Sequence, residues 1–302
     1  MTDFRFVTDE LKKNINAQNI LENEPMKNHT SFKIGGNAKI FVAPQNEDEI
    51  LWVLKTARST GTPVFTIGNG SNLLVGDLGF NGIIMHIGKN FSNVSTDGNF
   101  ITAQAGATLA KIAAAALGAN LTGFEFASGI PGSLGGAVVM NAGAYGGEMK
   151  DVVVSTKYID ENLNICTVCA DEHKFAYRKS RFGENDVILE SKIKLLSGNY
   201  IDIKNKMNEL NARRKEKQPL DKPSAGSTFK RPEGYFAAKL IDDAGFRGFK
   251  SGGAMVSDKH CGFVVNYNNA SFDDVINVIN IVKKEVYNKF GVKLECEVKI
   301  LN

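Results

Sequence analysis

Val64-Phe65-Thr66-Ile67-Gly68-Asn69-Gly70-Ser71-Asn72 is a run of four β-forming residues that enters a glycine-rich turn without a spacer. Glycine there frees consecutive backbone N–H groups to form an anion-binding concavity. Asn69, Ser71 and Asn72 add side-chain donors. The dinucleotide fingerprint of doubly wound folds is not met, because Leu73 stands where a third glycine belongs and no helix pattern opens there. A Walker loop fails too, since Gly88-Lys89 leads to Asn90 and position 83 is Ile. A tight turn alone also explains a single GxG.

Working outward, Ser128-Gly129-Ile130-Pro131-Gly132-Ser133-Leu134-Gly135-Gly136-Ala137 repeats the signal, and Asn141 to Gly147 continues the small-residue lining. A bulky pyrophosphate needs backbone approach from several sides, which larger side chains block. Glycines across 123–147 predict a working loop with little regular structure. Around the loops the pattern alternates. A helix is expected over 46–58 with Gly61 as its stop, a strand over 101–105, and a helix over 109–117 capped by Thr108. Strands are expected over 152–158 and 187–195, a helix over 201–214, a helix after the capping box Ser271-Phe272-Asp273-Asp274 ending at Gly291, and a last strand over 294–301. Leu11, Ile15 and Ile20 predict a peripheral helix in the first twenty or so residues. Strands interleaved with helices indicate an α/β or α+β fold, with boundaries that give 1–23 as a helical segment and 24–198 and 199–302 as domains.

The 302 residues are 43% hydrophobic and 23% charged, an ordinary globular profile with room for two or three domains. Lys and Arg number 36 against 33 Asp and Glu, a net +3 spread along the chain, which gives no support to nucleic-acid binding. The densest basic run, Arg213 to Lys217, reads equally as a solvated helix face or an anion contact. The start, MTDFRFVTDELKKN, lacks a signal-peptide core, no membrane span is expected, and four cysteines suit a reducing compartment; the expectation is cytoplasmic. Cys166-Thr167-Val168-Cys169, with His173 beyond, lies in an alternating strand pattern and lacks a second CxxC, so no metal site is expected.

Five ordered motifs carry a resemblance: His29-Thr30-Ser31-Phe32-Lys33-Ile34-Gly35-Gly36-Asn37-Ala38, the two loops, Tyr177-Arg178-Lys179-Ser180-Arg181-Phe182, Ala225-Gly226-Ser227-Thr228-Phe229-Lys230-Arg231-Pro232, and Glu295-Cys296-Glu297-Val298, counting the loops as one. Together they make the chain resemble the UDP-N-acetylenolpyruvoylglucosamine reductase family of bacterial peptidoglycan synthesis. The resemblance implies an α+β fold: a vanillyl-alcohol-oxidase-type FAD-binding domain of two α+β parts and a C-terminal α+β substrate-binding domain, the last strand reaching back toward the flavin. It implies non-covalent FAD held by Gly68, Asn69, Gly70, Ser71 and Asn72 and by Ser128, Ile130, Pro131, Gly132, Gly135 and Gly136. NADPH is the implied reductant, and a monomer is expected. His29 is read as a structural hydrogen-bonding residue. Only residues 179–226 lie between Arg178 and Ser227, as in the shorter subgroup that lacks a tyrosine loop over the nucleotide.

Reduction of a vinyl ether conjugated to a carboxylate puts hydride on the terminal carbon and negative charge on its neighbour. By resemblance Arg178 and Glu297 stabilise that charge, and Ser227 donates the proton. Lys217, Lys230 and Arg231 are candidates for the substrate pyrophosphate, with Lys230 also a cation able to assist Ser227. Two other classes share the loops: a flavin oxidase of the same superfamily, and a nucleotide-binding module without chemistry. The Ser227 and Glu297 motifs argue against the first, and the presence of Ser227, Arg178 and Glu297 together argues against the second.

Overall fold

The computed structural model describes residues 2–302. Helices and mainly antiparallel sheets combine in an α+β arrangement, in two compact units interleaved along the chain. One comprises the segments through Asn23, Lys39–Asn69 and Asn81–Arg213; the other comprises Glu24–Ala38, Gly70–Phe80 and Arg214–Asn302. The chain therefore leaves the first unit inside the loop Gly68–Asn72.

In the first unit, a four-stranded sheet runs in the order Ile20–Pro25, Asn37–Val42, Phe80–His86, Val64–Ile67. The last two are parallel, with Ile67 opposite His86. That register puts Gly68 beyond the carboxyl end of its strand, where open sheets present ligand loops. The helix Glu47–Thr60 begins where the Asn46 side chain accepts from the Glu49 N–H and ends at left-handed Gly61. Its Ile50, Val53 and Ala57 share one core with Ile40, Val42, Ile83 and Met85. A second, antiparallel sheet has the order Ile165–Cys169, Val153–Ile159, Val187–Lys194, Phe100–Gln104, Val94–Asp97. Beside it lies the helix Leu109–Gly118, capped as expected by Thr108.

In the second unit, the strands Lys250–Ser251, Ala254–Val256 and Val264–Asn266 form a small antiparallel sheet. The helix Phe272–Phe290 buries Val275, Val278, Ile279, Val282 and Val286 at helical spacing. They share a core with Ala254, Val256 and Val264. Leu73–Val75, which follows the first glycine loop, pairs in parallel with Lys299–Leu301.

Three expectations need correction. The first helix covers only Phe4–Lys12. Residues 123–147 include a regular helix, Leu134–Val139, because Leu134, Ala137 and Val138 are buried. The last strand is Lys299–Leu301, preceded by an isolated bridge from Cys296 to Phe229. Cys166 and Cys169 lie on one strand, and all four cysteines are free thiols. No helix among the described residues is long and apolar enough to cross a membrane.

Candidate active site

The two glycine loops meet in the first unit. Any side chain at Gly68 would collide with the hydroxyl of Ser133, which is itself buried. Ser133 bridges to Thr108, while the Leu134 N–H donates to Ala107 O (2.8 Å) and the Gly135 N–H to Ala105 O (2.9 Å). The end of the strand Phe100–Gln104 thus carries the second loop to the first. Ile130 and Gly132 are half-buried and Pro131 is exposed.

Two features of this cradle are those a bound group would complete. Ser128 Oγ is buried without a hydrogen-bond partner, a loss of about 1–3 kcal/mol unless a ligand supplies one. Gly136 is exposed, and a Cβ there would meet only Ser133 Oγ at 4.0 Å. An orphaned hydroxyl and, eight positions on, backbone that a ligand can approach suit the polar ribityl–pyrophosphate chain of FAD, so these residues fit the cofactor that the sequence implies.

Arg178 also belongs to the first unit. Its backbone is left-handed, with φ 53°, a conformation that costs a non-glycine residue about 1–3 kcal/mol and is retained where surroundings enforce it. Asn141 Nδ2 donates to Ala176 O (3.0 Å) and Ser180 Oγ to Val139 O (2.8 Å), pinning the segment on both sides. The guanidinium donates to Gly143 O at 3.2 Å and lies 5.0 Å from the centre of the Tyr177 ring. Nearby, the Lys150 hydrogen bond holds the Glu148 carboxyl below its ordinary range, helped by Asn141 and the Arg178 charge against the effect of burial. The strand pair Gly143–Ala144 and Gly147–Glu148 therefore gives Arg178 a carbonyl to hydrogen-bond and a nearby carboxylate that Lys150 holds.

Ser227 and Glu297 belong to the second unit, on neighbouring segments. The Glu297 N–H donates to Thr228 O (2.8 Å), and the Thr228 N–H donates to Gly262 O (2.8 Å). Thr228 is buried and its hydroxyl accepts from the Val264 N–H at 2.9 Å, which fixes the backbone next to exposed Ser227. Asn72 Nδ2 donates to Glu297 O at 3.1 Å, and the Lys299 N–H donates back to Asn72 O at 3.0 Å. Gly70 is left-handed, its Cα against the His29 carbonyl. Ser31 donates its N–H to Gly70 O and its hydroxyl to Ser224 O. His29 Nε2 meets Glu24 Oε1 at 2.9 Å. The HTSF motif is thus a brace for the first loop, as the structural reading of His29 anticipates.

Lys230 pairs with Glu295 at 3.1 Å, Arg231 lies over the Phe236 ring, and Lys217 ends the helix Tyr200–Lys217 in an exposed position. Sequence reasoning missed Tyr177 as the surface beneath Arg178, Asn141 as the clamp of its backbone, and Phe236. Tyr177 and Asn141 lie inside the motifs of the sequence, but the Asn141 bond to Ala176 spans 35 positions of the chain.

Residues 38–168 match the FAD binding domain family, and residues 218–301 match the family described as UDP-N-acetylenolpyruvoylglucosamine reductase, C-terminal domain. The chain is 53% identical to the UDP-N-acetylenolpyruvoylglucosamine reductase of Caldanaerobacter subterraneus subsp. tengcongensis, over 98% of both chains. It is 50% identical to that of Clostridium perfringens, covering 95% of this chain and 94% of the relative. The crystal structure of the reductase from Thermus caldophilus superposes with TM-score 0.80 at 31% identity, covering 94% of this chain and 98% of that one. Phl p 4.0202, a glucose dehydrogenase, shares the fold alone, with TM-score 0.50 at 16% identity over 65% of this chain and 44% of that one. With half or more of its residues identical to such relatives along nearly its whole length, this chain belongs to the UDP-N-acetylenolpyruvoylglucosamine reductase family.

Proposed function

We propose that the chain is an FAD-dependent reductase that converts UDP-N-acetylglucosamine enolpyruvate to UDP-N-acetylmuramate, with NADPH as electron source, as a cytoplasmic step in peptidoglycan precursor synthesis. When bound, FAD supplies the hydride. The work of the protein is to hold both substrates in turn, to stabilise charge at the enolpyruvyl group and to deliver a proton. Residues 24–198 are the proposed cofactor domain and 199–302 the proposed sugar-nucleotide domain, acting as a monomer.

Arg178 and Glu297 act at the substrate carboxylate, where negative charge develops once the terminal carbon has gained hydride. A preorganised guanidinium is worth most where that charge appears. Ser227 Oγ gives its proton to the adjacent carbon. Lys217, Lys230 and Arg231 are proposed contacts for the diphosphate.

One observation carries this reading: three backbones lie side by side in the second unit, the Asn72 end of the first glycine loop, the Glu297 segment and the Thr228 segment next to Ser227. The backbone that carries the Glu297 carboxyl group is thus hydrogen-bonded both to Asn72 of the proposed cofactor loop and to Thr228, the neighbour of Ser227. Anaerobic titration tests the function. The yellow protein should lose its visible absorbance with NADPH and regain it on addition of the enolpyruvyl nucleotide, with UDP-N-acetylmuramate as product. Bleaching by sugars or lactones instead, with no response to NADPH, would make the protein an oxidase.

A further inference from the structure

The segment after Ser227 bends at Thr228 and then runs alongside residues 295–296. Phe229 bridges Cys296 and the Lys230 N–H donates to Glu295 O at 2.9 Å. The four residue steps from Ser227 to Arg231 reach no more than about 13 Å. It then reverses at Pro232–Tyr235, where the Tyr235 N–H donates to Pro232 O (3.1 Å) and Gly234 has φ 75°. Phe236 follows as the N-cap of the helix Ala237–Asp243 and makes no side-chain cap.

This turn brings an aromatic ring back against the segment it left. The Arg231 Cζ lies 3.9 Å from the centre of the Phe236 ring, and Arg231 Nε donates to Tyr235 O. Phe236 is nevertheless 59% exposed and Tyr235 48% exposed. One ring face is covered by the guanidinium, so the surface left to water is the side away from it. An exposed ring held in place by a stacked cation has lost its freedom before any ligand arrives, which lowers the entropy that a partner must overcome. Its open face is flat and apolar, suited to another flat π system.

We infer that Phe236, backed by Arg231, is the surface on which the uracil of the sugar nucleotide stacks. The inference rests on the proposed substrate. Ser227, at one end of this segment, meets the enolpyruvyl carbon, and the sugar, diphosphate and ribose run along it to the turn. A base stacked on Phe236 leaves the diphosphate beside Lys230 and Arg231, the cations of that segment. Arg231 thereby serves as a backing for the ring and a charge for the diphosphate.

The test uses the FAD-loaded full chain and three variants, Phe236→Ala, Phe236→Leu and Phe236→Trp. Loss of one base-stacking ring should raise KM for the enolpyruvyl nucleotide about tenfold or more, with kcat changed within about twofold. Phe236→Leu keeps apolar volume without a planar face and should behave as Phe236→Ala does; Phe236→Trp should restore KM. The rate of bleaching by NADPH and its KM should be unaltered in all three. With the enolpyruvyl sugar 1-phosphate, which has no uridine, wild type and Phe236→Ala should be equal. Restoration by Leu, an equal penalty on the truncated substrate, or a raised KM for NADPH would each overturn the platform. Failure of the wild type itself to reduce the enolpyruvyl nucleotide would instead strike the functional reading.

Discussion

Gly68 and Gly136 stand in adjoining loops for different reasons. The sequence suggests pyrophosphate for both, but a side chain at Gly68 strikes Ser133, whereas Gly136 faces open space. Gly68→Ala should therefore destabilise the protein itself by about 1–3 kcal/mol through overpacking. Gly136→Val should keep the apoprotein midpoint while weakening FAD. Thermal unfolding of the apoproteins and FAD titration separate the two; unchanged FAD affinity in a folded Gly136→Val protein would show that the cofactor lies elsewhere. Glycine loops were legible because few other residue types permit such backbone. Ser227, Arg178 and Glu297 were legible only as members of long motifs. A serine in Gly-Ser-Thr has the chemistry of any turn residue, and the Thr228–Glu297 hydrogen bond that joins two of these segments spans a sequence distance no local pattern encodes.

At the scale of elements, caps read well and tertiary compensation read badly. Asn46, Thr108 and Ser271 each accept from the first-turn N–H that their type predicts. The N-terminal helix stops early because Asn16 bonds the Gln18 N–H and opens a separate 3-10 turn, although Ile15 and Ile20 are buried as their spacing suggests. Leu134–Val139 is helical despite two glycines, each worth about 1 kcal/mol against a helix, since its apolar side chains are buried.

His173, which the sequence set beside the CxxC, proves to be a joint between elements. It is fully buried, with Nδ1 at 2.9 Å from Ala170 O, Nε2 at 2.9 Å from Thr156 Oγ1, and its ring stacked on Phe175. Burial pushes its pKa below the ordinary 6.5, against a raising effect of the Ala170 bond. As pH falls through 6.5 the unfolded chain takes up this proton first, so the stability it confers is present above that value and lost on the acid side. The urea midpoint should fall between about pH 7.5 and pH 5, more steeply in the wild type than in His173→Gln. Parallel pH profiles would show that the imidazole is not held neutral.

At the scale of the whole molecule, alternating strands and helices narrowed the class to α/β or α+β and the family resemblance gave α+β, but neither gave the interleaving of the two units. The first loop begins in one unit and ends in the other, and sequence periodicity contains no information on which strands pair. Leu73–Val75 with Lys299–Leu301 is such a pairing, joining residues at opposite ends of the chain. It has a functional meaning in the proposed mechanism, because the segment that carries Glu297 is fastened to the cofactor loop by the same strand. The central claim is that this chain donates a proton from Ser227 to a carbon that has accepted hydride. Stopped-flow absorbance of FAD-loaded Ser227→Ala tests it most directly. The account predicts bleaching by NADPH within about twofold of wild type and recovery with the enolpyruvyl nucleotide slowed about a hundredfold or more. Recovery at the wild-type rate in that variant would contradict it.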